Sequence, residues 1–296
     1  MPYLGELSAL LTAVLWSGSA LIFARASTRI SPLQVNIIRL CFAVIYLLLV
    51  IVLFKLDINM SPSQVFYLCV SGVIGLALGD TFLFKAFKEL GARLSMLIMS
   101  LAPAIAAIVA WGMIHDTLAP FGILGMCVTV AGVALVVMKK PSAGVTATRW
   151  DALGLLFALL AAVGQGVGLV FAKMAFNEHQ VNGFVATAVR IGASLVILIP
   201  GSLVSGRFEN PVDVVTRDKG AFLLVAVGSI LGPFLGIAFS LIAVANTSVG
   251  AAAAIMGTVP VVMLPMARAV HKERITRNAL AGAVLAAAGV TILFLR

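Results

Sequence analysis

The chain has 296 residues, of which 62% are hydrophobic and only 10% are charged, and its mean hydropathy is +1.15. This composition excludes a water-soluble globule, because too few polar side chains are present to cover its surface. The net charge is +9, with 20 Lys and Arg against 11 Asp and Glu. In a soluble protein this excess would suggest nucleic-acid binding. In a membrane protein the excess of Lys and Arg instead indicates how the chain is oriented in the membrane, and we expect no nucleic-acid partner.

Ten long apolar segments follow one another along the chain. Each is long enough to cross a hydrocarbon core of ~30 Å as a helix. Helices are required because hydrocarbon offers no hydrogen-bond partner to a free backbone amide, and the segments lack the alternation of a membrane β-strand. The sequence therefore predicts an all-α integral membrane protein with ten transmembrane helices. The predicted segments are residues 4–24, 32–54, 64–84, 94–114, 119–138, 152–172, 183–204, 221–244, 248–270 and 279–295.

Lysine and arginine are distributed unequally between the two sides that these segments define. If the N-terminus lies on side A, only Lys55, Lys173 and Arg296 fall on side A. Side B receives Arg25, Arg29, Lys85, Lys88, Arg93, Lys139, Lys140, Arg149, Arg207, Arg217, Lys219, Arg268, Lys272, Arg274 and Arg277. Cytoplasmic loops collect Lys and Arg, so we expect side B in the cytoplasm and both termini outside the cytoplasmic (inner) membrane.

The two parts of the chain repeat one another. A shift of 157 residues places many glycines, prolines and acids of the first part on residues of the same kind. The matched residues are Gly75 and Gly232, Gly79 and Gly236, Phe82 and Phe239, Pro103 and Pro260, Asp116 and Glu273, Gly125 and Gly282, and Gly132 and Gly289. At slightly shorter shifts, residues 23–25 fall on residues 171–173 and Arg39 falls on Arg190. The pattern predicts two five-helix units, residues 1–145 and 146–296, joined by a linker at 139–150.

Five is an odd number, so the second unit enters the membrane with the opposite orientation to the first. Such an inverted repeat has a pseudo-two-fold axis in the membrane plane, and two conformations open to opposite sides follow from it. The fold therefore favours a carrier with alternating access. The alternatives are a duplication that serves stability alone, and a channel or scaffold with the same topology.

The ordered motifs resemble those of the EamA family of the drug/metabolite transporter superfamily. They are Gly79-Asp80-Thr81, Lys85-Ala86, Gly91-Ala92-Arg93, Leu101-Ala102-Pro103, the loop acids Asp116 and Glu273, and Gly125 with Gly132. The resemblance spans nearly all of the chain and occurs in both halves. It implies a ten-helix carrier with a central cavity between the halves, and relatives that include exporters of amino acids and other metabolites. The Lys and Arg distribution departs from the termini-inside arrangement of many relatives.

Arg39 and Asp80 are charged residues inside predicted helices, at similar depth from side B. A charge at the centre of a membrane helix costs ~2.5 to 3.5 kcal/mol on insertion scales. An ion pair between them would lower both costs, so we expect such a pair with a structural or gating role. The alternative is that Asp80 binds the solute directly or carries a proton.

Arg190 is the repeat counterpart of Arg39, but the residue that corresponds to Asp80 is Ile237. The charge of Arg190 is therefore less obviously compensated. Two interpretations are open: the side chain snorkels or bonds to carbonyls, or it holds the carboxylate of an anionic or zwitterionic solute.

Trp16 and Ser17 in the first helix align with Gly164 and Gln165 in the sixth, near the middle of the membrane. An indole offers a flat apolar wall with one N–H donor, and an amide offers a donor and an acceptor. We expect Trp16, Ser17 and Gln165 to line a cavity, with helix packing and an interhelical hydrogen bond as the alternative.

Three further polar residues are weaker cavity candidates: Asn36, one turn before Arg39, and Ser100 and Thr258, beside the helix prolines. Pro103 and Pro260 are expected to interrupt hydrogen bonds within their helices, as hinges or as cavity-lining breaks, with kinks tolerated by packing as the alternative. Small residues are expected to permit close helix packing. These are Gly72, Gly75, Gly79, Gly125, Gly132, Gly164, Gly166 and Gly168.

No set of residues in the predicted helices has the pattern of an enzyme site. Paired carboxylates and a Ser/His/Asp arrangement are absent from the apolar segments, and His115, His179 and His271 stand singly without metal-ligand spacing. We therefore expect no enzymatic activity, no metal and no cofactor.

The sequence thus favours a secondary transporter that exports a small metabolite, an amino acid or a related amphiphilic solute. The main alternative is a proton-coupled multidrug exporter. The small drug-exporting relatives rely on a glutamate within the first helix, whereas the acid here, Glu6, lies near its boundary. Partners are then the solute, the lipid bilayer and, in the alternative, protons.

Overall fold

A computed structural model of the chain describes residues 3–114, 120–137, 152–178, 181–247, 252, 255–271 and 277–293. All regular elements in these ranges are helical. The predicted linker at 139–150 lies outside the described residues. So do His115, His179, the loop acids Asp116 and Glu273, and the basic residues Lys139, Lys140, Arg149, Lys272, Arg274 and Arg296.

The first half contains six α-helices and one π-helical segment within the described residues. They are α1 (Leu4–Ser27), α2 (Pro32–Leu53), α3 (Pro62–Gly72), the first π segment (Val73–Gly79), α4 (Asp80–Met99), α5 (Ala102–Ile114) and α6 (Pro120–Val137). The second half contains α7 (Ala152–Glu178), α8 (Gly183–Val204), α9 (Pro211–Arg217), α10 (Lys219–Ser229), the second π segment (Ile230–Gly236), α11 (Ile237–Asn246), α12 (Val259–His271) and α13 (Arg277–Leu293).

The elements account for ten membrane crossings in the described ranges. Six helical stretches are long and apolar enough to span a bilayer, and four shorter apolar helices complete the set. The stretch Pro62–Met99 contains both the third crossing and the start of the fourth. Gly91 divides them, with φ 77° and ψ 165°, a backbone conformation that side chains disfavour. The predicted ten-helix membrane fold with two inverted repeats is confirmed.

The two halves interleave instead of sitting side by side. Helix α1 packs along α10, the second π segment and α11, which form the third crossing of the other half. Helix α7, the counterpart of α1, packs in the same way along α3, the first π segment and α4. Helix α2 packs against α8, and α6 against α13. Each half thus completes its packing with the other, around the pseudo-two-fold axis.

Small residues make the closest of these helix contacts possible. A Cβ on Gly168 would lie 3.1 Å from the Cα of Gly75, and a Cβ on Gly132 would lie 2.5 Å from the backbone N of Ala286. Both distances are shorter than ordinary van der Waals contact, so only hydrogen fits at these positions. The packing role expected for these glycines is therefore confirmed for the α7 and α6 contacts.

The two π segments occupy equivalent positions in the two repeats. Val73–Gly79 and Ile230–Gly236 are both seven residues long, and each is followed directly by an α-helix that begins at Asp80 or Ile237. π-helices are rare and occur frequently at functional sites. Here they set the position of Asp80 and Ile237 at the middle of the bundle.

Candidate functional site

The fourth and ninth crossings are each broken at the centre of the bundle. In the first half α4 ends at Met99 and α5 begins at Ala102, while the N–H of Ser100 donates to the Leu97 carbonyl at 3.1 Å. In the second half the N–H of Thr258 donates to the Ile255 carbonyl at 3.1 Å, just before α12 begins. Both bonds join residues three apart, so each break is a tight turn of 3₁₀ type.

Pro103 and Pro260 are each the second residue of the helix that follows the break. At this position a helix has no partner for a backbone N–H, so proline costs no hydrogen bond. This corrects the expectation that the two prolines interrupt bonds inside a helix. Instead they mark the points at which the helices restart.

A cavity of about 130 Å³ lies between the two halves, beside both breaks. A single water needs roughly 10 to 15 Å³, so the cavity holds several waters or a small solute. Residues that correspond under the repeat line it from both halves. These pairs are Arg39 and Arg190, Asp80 and Ile237, Met99 and Met256, Ala102 and Val259, and Pro103 and Pro260. The cavity therefore lies on the pseudo-two-fold axis.

The cavity wall is mainly apolar and aromatic. Trp16 and Gln165 both line it, as the sequence predicts, and so does Ser100. The rest of the aromatic and methionine wall, and two further serines, were not foreseen. Those residues are Phe23, Phe84, Phe87, Met96, Ser19 and Ser240. A wall of this kind, with a few polar groups, suits a small amphiphilic ligand.

Ser17, Asn36 and Thr258 do not line the cavity in this structure, which corrects the expectation that they would. Ser17 is fully buried, and its hydroxyl donates to the carbonyls of Ala13 at 2.7 Å and Val259 at 3.3 Å. The Thr258 hydroxyl donates to the Ile255 carbonyl at 2.7 Å. Both hydroxyls therefore satisfy backbone groups instead of facing the cavity.

Asn36 lies behind the cavity wall and supports it. Its amide nitrogen donates to the Leu76 carbonyl of the first π segment at 2.9 Å and to the Thr81 hydroxyl at 2.8 Å. Its amide oxygen accepts a hydrogen bond from Nε of Arg39 at 2.9 Å. Asn36 thus ties the Arg39 guanidinium to the π segment that precedes Asp80.

The expected ion pair between Arg39 and Asp80 is present. Nη2 of Arg39 lies 2.5 Å from a carboxylate oxygen of Asp80, and the two side chains are 5% and 13% exposed. The guanidinium also lies 4.8 Å from the ring centroid of Phe84 and 5.8 Å from that of Phe23. Arg39 is therefore held by a carboxylate, an amide and two aromatic faces.

Arg190 lines the cavity without comparable support. The residue is 3% exposed, so its side chain does not snorkel to the membrane surface. Within the part of the chain that the structure describes, no carbonyl accepts from its guanidinium, and its buried Nε has no hydrogen-bond partner. Asp80 is near enough to attract Arg190 electrostatically but is paired with Arg39. Among the described residues, the Arg190 side chain therefore neither reaches the membrane surface nor bonds to a carbonyl.

The cavity carries a positive electrostatic bias. Among the described residues that line it, Arg39 and Arg190 are cationic, and Asp80 is the sole anion. The restarting helices α5 and α12 both begin at the cavity, because their first residues, Ala102 and Val259, line it. A helix N-terminus has a partial positive charge, so both helices add to the bias.

The two π segments, Val73–Gly79 and Ile230–Gly236, are a feature of the cavity region that the sequence pattern does not predict. The sequence signal at these positions is the recurrence of Gly75 and Gly79 at Gly232 and Gly236, and by itself this recurrence indicates only close helix packing. A change from α to π winding leaves no period in a run of apolar residues, so the sequence pattern could not reveal it.

Comparison with known proteins agrees with the motifs. The model of the EamA-like transporter family matches the chain twice, over residues 3–138 and 152–295. No curated protein sequence matches the chain. A solved structure described as "Crystal structure of protein" is 18% identical and superposes with a TM-score of 0.70, covering 97% of this chain and 95% of that chain. At this identity it shows a shared fold. Because the family matches span both repeats, the chain belongs to the EamA-like transporter family, whose members are multi-pass membrane transporters of the drug/metabolite type.

Proposed function

We propose that this transporter exports a small metabolite, an amino acid or a related amphiphilic solute, across the cytoplasmic membrane by alternating access. The observation that carries the proposal is the cavity on the pseudo-two-fold axis, lined by corresponding residues of both halves. Binding at such a midpoint is typical of carriers built from inverted repeats. The nature of the wall supports an amphiphilic solute, because aromatic faces and isolated polar groups occur together in it.

Alternating access requires that the two repeat units exchange conformations. We assign the units to residues 1–145 and 146–296. The breaks before α5 and α12 are the points where each unit bends, with Pro103 and Pro260 as hinge residues, because no regular helix crosses them. The Arg39–Asp80 pair, which joins α2 to α4 at the cavity, is the gate of the first unit.

Counterflow in proteoliposomes tests this function. Purified protein is reconstituted with an internal pool of unlabelled amino acids, and uptake of each labelled amino acid is followed. We expect saturable exchange for a subset of them. Replacing the cavity tryptophan, W16A, should lower that exchange at least roughly tenfold, since indole burial contributes several kcal/mol of contact energy.

The matched control is W111A, because Trp111 is 57% exposed and does not line the cavity. It should exchange at the wild-type rate. Folded wild-type protein without saturable exchange of any amino acid, or W16A with full exchange, would contradict the proposed function. Accumulation of the solute in inside-out but not right-side-out vesicles establishes export.

A proton-coupled multidrug exporter is the second candidate, and one observation favours it. Asp80 is a carboxylate at a cavity with an aromatic wall, where a lipophilic cation and a proton could compete for it. This candidate predicts that D80N abolishes efflux of ethidium driven by a pH gradient while sparing ethidium exchange. Asp57 lies in the exposed loop after α2, so D57N is the matched control. If D80N exports ethidium under a pH gradient as fast as D57N does, the candidate is eliminated.

A further inference from the structure

Arg39 and Arg190 are repeat counterparts, yet three of the four residues that hold Arg39 have been replaced in the second half, where only Phe23 keeps an aromatic counterpart, Phe171. The hydrogen-bonding Asn36 corresponds to Thr187, whose hydroxyl donates to the Gly183 carbonyl at 2.7 Å. The ion-pairing Asp80 corresponds to Ile237, and the aromatic Phe84 to Leu241. The second half has therefore kept the buried cation and lost the counterparts of its amide partner, its carboxylate partner and the nearer of its two aromatic rings.

A guanidinium in this position stays charged, because arginine does not deprotonate in proteins. Burying an unpaired charge is costly, and removing one partner of a buried ion pair is strongly destabilising for the same reason. Arg190 is nevertheless 3% exposed, with its Nε unbonded among the described residues. The site is therefore incomplete without an anion.

The space around Arg190 is suited to receive that anion. A Cβ on Gly75 would lie 3.4 Å from Nη2 of Arg190 and 3.8 Å from Oε1 of Gln165, so both polar groups lie close to this glycine. Ile237 and Gln165 line the same cavity, and α12 begins there with its partially positive end. A carboxylate at this point meets a guanidinium, and the amide of Gln165 is available for a second polar group.

We propose that the carboxylate of the transported solute binds Arg190 next to Ile237, in the place that corresponds to the one Asp80 occupies next to Arg39. The inference rests on the proposed function and commits it to a substrate with a free carboxylate. The solute supplies the acid that the second repeat lacks. The apolar remainder of the solute then lies against the aromatic wall that contains Trp16.

Substrate binding makes the two repeats electrostatically alike. In the empty carrier Arg39 has an ion-pair partner and Arg190 has none among the described residues, so the two conformations that the pseudo-two-fold axis relates differ in energy. With a carboxylate on Arg190, each repeat has one buried ion pair. The solute therefore lowers the energy difference between the two conformations. A ligand can shift the populations of two conformations only if it interacts with them unequally, and the Arg190 contact provides that inequality.

Matched pairs of free acids and methyl esters test the inference. The probes are the common L-amino acids and their methyl esters, and binding to the purified protein is measured by thermal shift. A hydrogen bond to a charged group contributes about 1.5 to 3 kcal/mol, so the free acid should bind roughly 10- to 100-fold more tightly than its ester. Equal binding of acid and ester would overturn the inference.

Two variants locate the carboxylate site. R190Q removes the cation and should reduce the acid-to-ester preference to about one. I237D places a carboxylate in the chain where the solute carboxylate is proposed to lie. It should also abolish the preference and should unfold at a higher temperature than I237N, which has the same shape without the charge. An undiminished preference in R190Q, or an I237D midpoint no higher than that of I237N, would overturn the inference.

Counterflow separates failure of this inference from failure of the proposed function. If wild-type protein exchanges amino acids and their esters equally well, the transporter function stands and the Arg190 site is refuted. If neither probe set exchanges through folded protein, the proposed function itself fails. R190Q should fold in either case, because the substitution removes a buried charge and leaves Asp80 its ion pair with Arg39.

Discussion

Gly164 lies so close to Gly79 that a Cβ on Gly164 would come within 2.9 Å of the Gly79 Cα. The corresponding contact in the other half is between Trp16 and Gly236, where a Cβ on the glycine would lie 2.7 Å from the indole nitrogen. One half thus packs two glycines at the centre of the bundle, and the other packs a glycine against an indole that lines the cavity. The repeat keeps the backbone arrangement while the two cavity walls differ.

The Gly164 contact predicts a strong effect of a single methyl group. G164A pushes a Cβ against the backbone of the first π segment, since it would also lie 2.9 Å from the Ile74 carbonyl oxygen. Overpacking of this kind costs about 1 to 3 kcal/mol, and we expect a lower thermal unfolding midpoint in detergent. G192A is the control, because a Cβ on Gly192 meets nothing within 4 Å. Its midpoint should equal or exceed that of the wild type.

The two buried arginines should respond oppositely to the same substitution. R39Q leaves Asp80 as a buried carboxylate without its ion-pair partner and should destabilise the protein by about 3 to 5 kcal/mol. R190Q removes a cation that has no ion-pair partner among the described residues, so its unfolding midpoint should not fall. Thermal unfolding of both variants without solute checks the contrast. Equal destabilisation by the two substitutions would refute the asymmetry between the repeats.

Asp218 predicts a pH-dependent contribution to stability on side B. The pKa of its carboxyl is lowered, chiefly because the backbone N–H of Ala221 donates to it at 2.9 Å, and also because Arg29 lies 2.6 Å away. A carboxylate with a lowered folded pKa stabilises the protein above its unfolded pKa of about 3.9. This contribution is lost as the pH falls through the lowered folded pKa.

The measurement is the difference in thermal midpoint between wild type and D218N as a function of pH. We expect the variant to be less stable at pH 7, and we expect the difference to shrink from about pH 4 downward as the pH falls towards the lowered pKa of the folded carboxyl. D213N, at an exposed position in α9, is the control and should match the wild type throughout. A difference that grows towards low pH would contradict the assignment.

The Lys and Arg distribution predicts the orientation of the loops. Asn59 is exposed in the loop after α2 on side A, and Ser205 is exposed after α8 on side B. In a background without Cys41, Cys69 and Cys127, a membrane-impermeant maleimide added to whole cells should label N59C but not S205C. Inside-out vesicles should give the reverse. The opposite pattern would place side B outside.

Much of the architecture follows from the sequence because lipid leaves few alternatives. Backbone groups in hydrocarbon must be satisfied within helices, so runs such as residues 32–54 report crossings directly. The shift that aligns Pro103 with Pro260 reveals the repeat in the sequence. The repeat is inverted because five crossings in the first unit make the second unit enter the membrane from the opposite side. The Arg39–Asp80 pair could also be predicted from the sequence, because two opposite charges at one membrane depth have few other partners.

The orientations of the side chains around the cavity could not be predicted from the sequence in the same way. Ser17 and Asn36 lie at the predicted depth, but their side chains bond to carbonyls of Val259 and Leu76 on neighbouring helices. Helical periodicity cannot tell a cavity from a neighbouring helix when both lie on the inner side of the bundle. The unsupported state of Arg190 likewise depends on which groups the folded bundle brings within reach.

The amino-acid sequence alone determines the number of crossings, their inverted duplication and the residues that bear charge within the membrane. The reason is that transfer into lipid depends on the composition of each segment. Tertiary structure alone decides the π segments, the restarts at Pro103 and Pro260, and the lack of an ion-pair partner for the buried Arg190 among the described residues. Those features arise where α1 and α7 meet the opposite half, and contacts between distant segments leave no local signature in the chain.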